Sequence, residues 1–181
     1  MIKITTIKKV HNTRSENSKE YWETPKYFFE LLDKLFHFTL DPCADSKNRK
    51  CKRFYSKEVN GLVQDWRGET VFVNPPYSDK KNWLRKAYIE GLKESTKVVV
   101  LIPAITETKF FRNFCWKAKK IMLVQGRIEF EINGKKVGNG NTKGSMLIVF
   151  DGQNKRKPGF DLFYHKEKDL IEQESCIERY L

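Results

Sequence analysis

The sequence predicts an open, mainly parallel α/β sheet with a late antiparallel hairpin. Three observations lead there. Stretches with helical spacing of apolar residues alternate with short apolar runs, the pattern of strand–helix–strand units. One run, Lys97 to Ile102, is almost purely β-branched and apolar, as a strand covered on both faces must be. Asn133-Gly134 follows an alternating stretch from Arg127 to Ile132 and is a strong short signal for a hairpin.

The elements follow in order. Residues 1–20 are polar and basic and read as an arm. Thr24-Pro25 opens a helix, with Thr24 at the N-cap and Pro25 at the first helical position. Phe28, Phe29, Leu31, Leu32 and Leu35 give that helix an apolar stripe. Phe38 to Asp41 is a short strand ending on a carboxylate, and Pro42 stops its pairing. Ala44 to Glu58 shows no period. Thr70 to Val73 is a buried strand that runs into Asn74-Pro75-Pro76-Tyr77. Trp83, Leu84, Ala87, Tyr88 and Leu92 mark a helix before the Lys97 strand. Phe110 to Ala118 is a further helix and Ile121 to Val124 a strand. The hairpin then adds antiparallel strands at one edge, and Ser145 to Phe150 is the last strand. The chain divides into the arm (1–20), one domain (21–152) and a C-terminal extension with an acidic tail (153–181).

Composition narrows the function. The 181 residues are 39% hydrophobic and 13% aromatic, enough for one core and unlike a disordered chain. No apolar run reaches membrane-spanning length, and the first twenty residues lack the apolar stretch of a signal peptide. The four cysteines form no CxxC pair and the three histidines no ligand spacing, so no metal is expected. These features suit a reducing cytoplasm. Lys and Arg number 35 against 23 Asp and Glu, a formal charge of +12. Six basic residues and no acidic one lie between Lys47 and Lys57. Such a body attracts polyanions, nucleic acid foremost.

The sharpest chemical feature is Asn74-Pro75-Pro76-Tyr77 at the end of an apolar strand. In open α/β sheets ligands bind at the carboxyl ends of strands. Two prolines stiffen the chain and remove two N–H groups. The Asn74 side-chain oxygen and the Pro75 carbonyl can together accept both hydrogens of one amino group. Tyr77 adds a face for stacking. That combination grips a planar group bearing NH2, such as adenine. The amine of an aromatic ring is a poor nucleophile because its lone pair is delocalised. Two acceptors restore that lone pair and stabilise the positive charge that develops as the nitrogen attacks.

Beyond this tetrapeptide, the chain resembles the compact phage-type (Dam-like) DNA N6-adenine methyltransferases. The resemblance runs from about Tyr21 to Asp151. It rests on Trp22-Glu23-Thr24-Pro25, Leu40 to Ala44, Gly61-Leu62, Asp65-Trp66 and Val73 to Tyr77. It continues through Val100 to Ala104, Gln125-Gly126-Arg127 and Ser145 to Phe150. It implies an abridged Rossmann-like methyltransferase fold that uses S-adenosylmethionine (SAM). It further implies transfer of the methyl group to a flipped-out adenine in double-stranded DNA. By resemblance, Asp41 holds the methionine part of SAM, and Pro42, Cys43 and Ala44 form the turn beneath it. Thr24 and Pro25 touch the same end. Asp65 reads the cofactor adenine with Trp66 as an apolar wall. Glu58 is the candidate for the ribose. Asn74, Pro75, Pro76 and Tyr77 are the catalytic set. Cys43 reads as a small buried residue, since methyl transfer from SAM needs no covalent intermediate.

Two departures from the family pattern stand out. The loop after Asp41 lacks the usual glycines, and only 33 positions separate Asp41 from Asn74. Two further strand–helix units of about 30 residues each do not fit there, so the sheet is shortened. Cytosine N4, RNA adenine and protein glutamine also present an NH2 on a planar carbon. An inactive DNA-binding module on the same fold is the alternative of a different class. Base readout is expected from loops, with Lys47–Lys57 on phosphates and the Arg127–Lys143 hairpin reaching a groove.

Overall fold

The computed structural model describes residues 19–137, 142–152 and 158–163. Its central sheet has seven strands in the order β2-β1-β3-β4-β8-β5-β9. They are β1 (Leu40–Asp41), β2 (Arg53–Phe54), β3 (Thr70–Val73), β4 (Lys97–Pro103), β5 (Lys120–Val124), β8 (Ser145–Asp151) and β9 (Gly159–Phe163). Strand β8 alone is reversed, and it pairs with β4 and β5. Every other pairing is parallel.

Alternation along the central strands builds two layers. Val71, Val73, Val98, Val100, Ile102, Ile148 and Phe150 face one side with Trp66, Trp83, Leu84 and Ala87. Phe72, Val99, Leu101, Leu147 and Val149 face the other with Phe28, Phe29 and Leu32. Helix α2 (Lys80–Gly91) covers the first face, together with α3 (Lys109–Asn113), while α1 (Lys26–Phe36) covers the second. A strand with helices on both sides must be apolar at every position, which is why Lys97–Ile102 carries no polar alternation.

Four expectations are corrected. Thr24 is not the N-cap of α1: Pro25 occupies that position, without a side-chain cap, and the buried Thr24 hydroxyl has no hydrogen-bond partner among the described residues. The Asn133-Gly134 hairpin, β6 (Glu131–Ile132) with β7 (Lys135–Lys136), forms a separate two-stranded sheet instead of an edge of the main one. Its turn is as expected, with φ of 51° and 73° at the two central residues. The helix expected over Phe110–Ala118 is α3 followed by a 3-10 turn at Cys115–Lys117. Finally, β9 extends the sheet into residues assigned to the C-terminal extension. Four of its five residues are exposed and none is β-branched, so it gave no strand signal. The acidic tail from Lys166, and the arm before Lys19, lie outside the described residues.

Candidate active site

The chain leaves β1 toward β2 on one side and crosses back to β3 on the other. The crevice therefore opens at the carboxyl ends of β1 and β3, where strand order reverses. Asp41 ends β1, and Asn74 follows the last residue of β3. A cavity of about 710 Å³ lies there, a volume typical of small-molecule sites.

Its floor is the loop after β1. Asp41 is 4% exposed. Its carboxylate accepts the N–H of Lys50 at 3.0 Å and of Cys43 at 3.3 Å, which folds the loop back on the strand end. Burial lifts the Asp41 carboxyl to about 6, outweighing the pull of those two N–H groups. Pro42, Cys43 and Ala44 line the cavity. Burial, with Asp41 beside it, pushes the Cys43 thiol far above its ordinary value, so it stays protonated and is no nucleophile.

The absent glycines have a structural answer. None of residues 42–46 adopts a positive φ, so the loop needs no glycine for its own path. The close approach falls instead on Gly61 in the opposite wall, where an added Cβ would stand 2.1 Å from the Pro42 carbonyl oxygen. Asn60 takes the left-handed conformation just before it and caps the turn by accepting the Leu62 N–H at 3.2 Å.

The other expected cofactor residues divide. Thr24 lines the cavity at 1% exposure. Glu58 sits on the rim, its carboxylate held by the Ser56 hydroxyl. Pro25 is buried at the start of α1 and is not on the wall. Asp65 and Trp66, expected at the cofactor adenine, do not line the cavity. The Asp65 carboxylate turns outward to Lys93 at 2.7 Å, and that hydrogen bond holds it down at about 2. Trp66 is wholly buried beneath the site, stacked on Trp83, with its ring N–H on the Gly61 carbonyl. It supports the wall without being the wall. Trp83, stacked on it, lines the cavity.

The Asn74–Tyr77 tetrapeptide lies between this cavity and a second, smaller one. Asn74 and Pro75 line both, while Tyr77 lines only the second, with Lys80, Pro103, Phe130 and Ser145. Asn74 Nδ2 donates to the Trp22 carbonyl at 3.0 Å, which leaves Oδ1 as its acceptor. Among the described residues no backbone N–H is bonded to the Pro75 carbonyl. The two acceptors inferred from sequence are thus both available.

Sequence reasoning missed the strap formed by Lys19 to Thr24. It crosses both cavities, and Trp22 stacks on Phe130 at 5.3 Å and meets Tyr77 edge-on at 6.4 Å. Glu23 pairs with Glu131 of the hairpin, which carries Ile132 and Asn133 onto the cavity wall. The one signal was a tryptophan inside a polar stretch. Lys50 and Lys57 of the basic stretch also line the cavity, so part of that stretch builds the site. Among the described residues no three His, Cys, Asp or Glu side chains are placed to hold a metal, and no helix is long and apolar enough to cross a membrane.

The fold is that of a class I methyltransferase. A solved structure from Listeria monocytogenes, described as a class I S-adenosylmethionine-dependent methyltransferase, matches with a TM-score of 0.55 at 12% identity, covering 92% of this chain and 72% of that one. The family described as DNA N-6-adenine-methyltransferase (Dam) matches residues 11–175. A DNA N-6-adenine-methyltransferase of Haemophilus phage HP1 is 33% identical, over 77% of this chain and 83% of that protein. Another, from Escherichia phage T1, is 26% identical, over 82% of this chain and 72% of that protein. The chain belongs to the DNA N-6-adenine-methyltransferase (Dam) family, as its resemblance implied.

Proposed function

We propose that this protein is a DNA adenine-N6 methyltransferase in which SAM occupies the large cavity and a flipped-out adenine the small one. The placement of Asn74 and Pro75 in the wall common to both cavities carries this reading. The residues present fit the cofactor. Among the described residues two buried polar side-chain atoms lack partners, Thr24 Oγ1 and Trp22 Nε1, and both residues line the large cavity. A ligand with hydrogen-bonding groups at that end would satisfy them. Asp41 offers a carboxylate to an ammonium group, and Glu58 one to ribose hydroxyls. When bound, SAM supplies the electrophilic methyl group.

The chain's own groups do the rest. Asn74 Oδ1 and the Pro75 carbonyl accept the two N6 hydrogens, draw them from the ring plane and stabilise the charge that develops on nitrogen. In the closed pocket the Trp22 carbonyl accepts from the Asn74 amide nitrogen, which leaves Oδ1 as the acceptor for the base. Tyr77 stacks on the base and replaces part of the stacking lost on flipping, which costs a few kcal/mol. The basic body draws in the DNA.

The test is methyl transfer from labelled SAM to unmethylated duplex DNA, with nucleosides identified by mass. Wild type should yield N6-methyladenine. Asn74→Ala should lose about 10²–10³-fold in kcat, the effect of removing one transition-state partner, with binding of S-adenosylhomocysteine retained. Methylcytosine, or no methylated nucleoside, would overturn the assignment.

A further inference from the structure

The strap over the small cavity is fastened by an anion. The Glu20 carboxylate accepts the Ser78 N–H at 2.7 Å and the Ser78 hydroxyl at 2.8 Å. Ser78 directly follows the catalytic tetrapeptide. Beside it, the Lys80 ammonium stands 4.6 Å from the centre of the Tyr77 ring and donates to the Tyr77 carbonyl at 3.0 Å. A main-chain N–H, a hydroxyl and an ammonium within three residues are the donor types that bind DNA phosphates. Here two of them already hold an oxyanion.

The small cavity measures about 30 Å³, far too little for a purine. A purine enters only if the wall made by Lys19 and Trp22 withdraws. Glu20 lies between those two residues, so withdrawal breaks its contact with Ser78. A base stacking on Tyr77 also competes with the Lys80 ammonium for the ring. Both donor groups are released at the point where a nucleotide has just entered, and the charge that nucleotide brings is its backbone phosphate.

We propose that Ser78 and Lys80 form a binding site for a backbone phosphate of the target strand, and that Glu20 occupies it and keeps the target pocket closed until DNA displaces it. The inference rests on the DNA-methylation reading and adds a substrate-binding site and its gate. Freeing Glu20 from Ser78 lets the strap open, and the phosphate takes the two donors that the carboxylate gives up. No covalent step is involved.

The experiment titrates unmethylated duplex DNA against wild type, Glu20→Gln, Lys80→Ala and Lys80→Arg at three salt concentrations, with circular dichroism to verify folding. Glu30→Gln, on the exposed face of α1, removes the same charge elsewhere. Glu20→Gln should bind DNA several-fold more tightly than Glu30→Gln does. Lys80→Ala should bind more weakly, with the slope of log K against log salt reduced by about 0.9, the value for one phosphate contact. Lys80→Arg should keep the slope. Glu20→Gln binding no tighter than Glu30→Gln, or an unchanged slope in Lys80→Ala, would overturn the proposal. The Lys80 arm stands even if Glu20→Gln disturbs the strap. Product analysis on wild type is separate: absence of methyladenine overturns the activity, whereas the binding comparison alone decides the phosphate site.

Discussion

Asn74 and Asp41 show how two ordinary polar residues acquire their chemistry from position. Asn74 is made directional by one hydrogen bond from its amide to the Trp22 carbonyl. Asp41 is buried at the end of β1, and its carboxyl titrates near 6 instead of in the usual carboxylate range. The sign is definite. Burial favours the neutral form, so what this group adds to stability is present at low pH and is lost as pH rises through about 6. Its charged form, the one that attracts an ammonium group, is gained over the same interval. S-adenosylhomocysteine affinity should therefore be level above pH 6 and fall as pH drops below it. In Asp41→Asn the affinity should be weak at all pH values, with that inflection gone. Calorimetric titration between pH 5 and 8 checks this. An inflection that persists in Asp41→Asn would assign the titration to another group.

At the scale of elements, close approach between segments fixes the site as much as the side chains do. Gly61 lets one wall of the cavity meet Pro42 of the other. Gly91, the last residue of α2, does the same for helix and sheet: a Cβ there would stand 2.4 Å from the Phe150 Cβ on β8. The helix preference of alanine, about 1 kcal/mol over glycine, does not offset such overpacking. Gly91→Ala should destabilise the protein by about 2 kcal/mol and lower Tm by about 4–8 °C. Thermal unfolding monitored by circular dichroism measures it. An unchanged Tm would mean that α2 can shift freely on β8. Between Trp66 and α2, buried Glu90 joins the Trp66 N–H to the ammonium groups of Lys86 and Lys93. This network keeps the segment between Gly61 and β3 against the helix, with Trp66 held beneath the cavity.

For the molecule as a whole, charge and layout act together. The formal +12 is set against a crevice whose walls include Lys50 and Lys57, with Lys135 and Lys136 exposed on the hairpin nearby. Contacts of this kind release counterions when DNA binds. Duplex affinity should fall linearly with salt on logarithmic axes, by about 10³-fold or more between 50 and 200 mM if six phosphates are held. Fluorescence anisotropy with a labelled duplex measures the slope. Affinity independent of salt would remove phosphate contact as the main source of binding. No separate domain for base readout occurs among the described residues. The hairpin is instead tied to the strap through Glu23, at the Glu131 backbone and the Asn133 N–H. The hairpin thus shares a wall with the large cavity.

Local information determined a great deal of this. Period and composition were enough for the parallel sheet, because Thr70–Val73 and Lys97–Ile102 are apolar on both faces and nothing else accommodates them. The place of Asn74 to Tyr77 at the end of β3 was legible because two prolines and an apolar strand fix local geometry without distant help. Asp41, at a strand terminus, was legible for the same reason. Position across the sheet was not legible, since it depends on partners far along the chain. Asp65 lies one residue from the fully buried Trp66, yet Lys93 drew it outward, 28 positions away. Strand β9 found its place beside β5 by pairing alone. The strap is the plainest case. Nothing in Lys19 to Thr24 encodes a contact with Ser78, 58 residues from Glu20. Residue types and local geometry reside in the sequence. Which of them share a wall is decided by the tertiary fold, because burial and hydrogen-bond competition are settled only when distant segments meet.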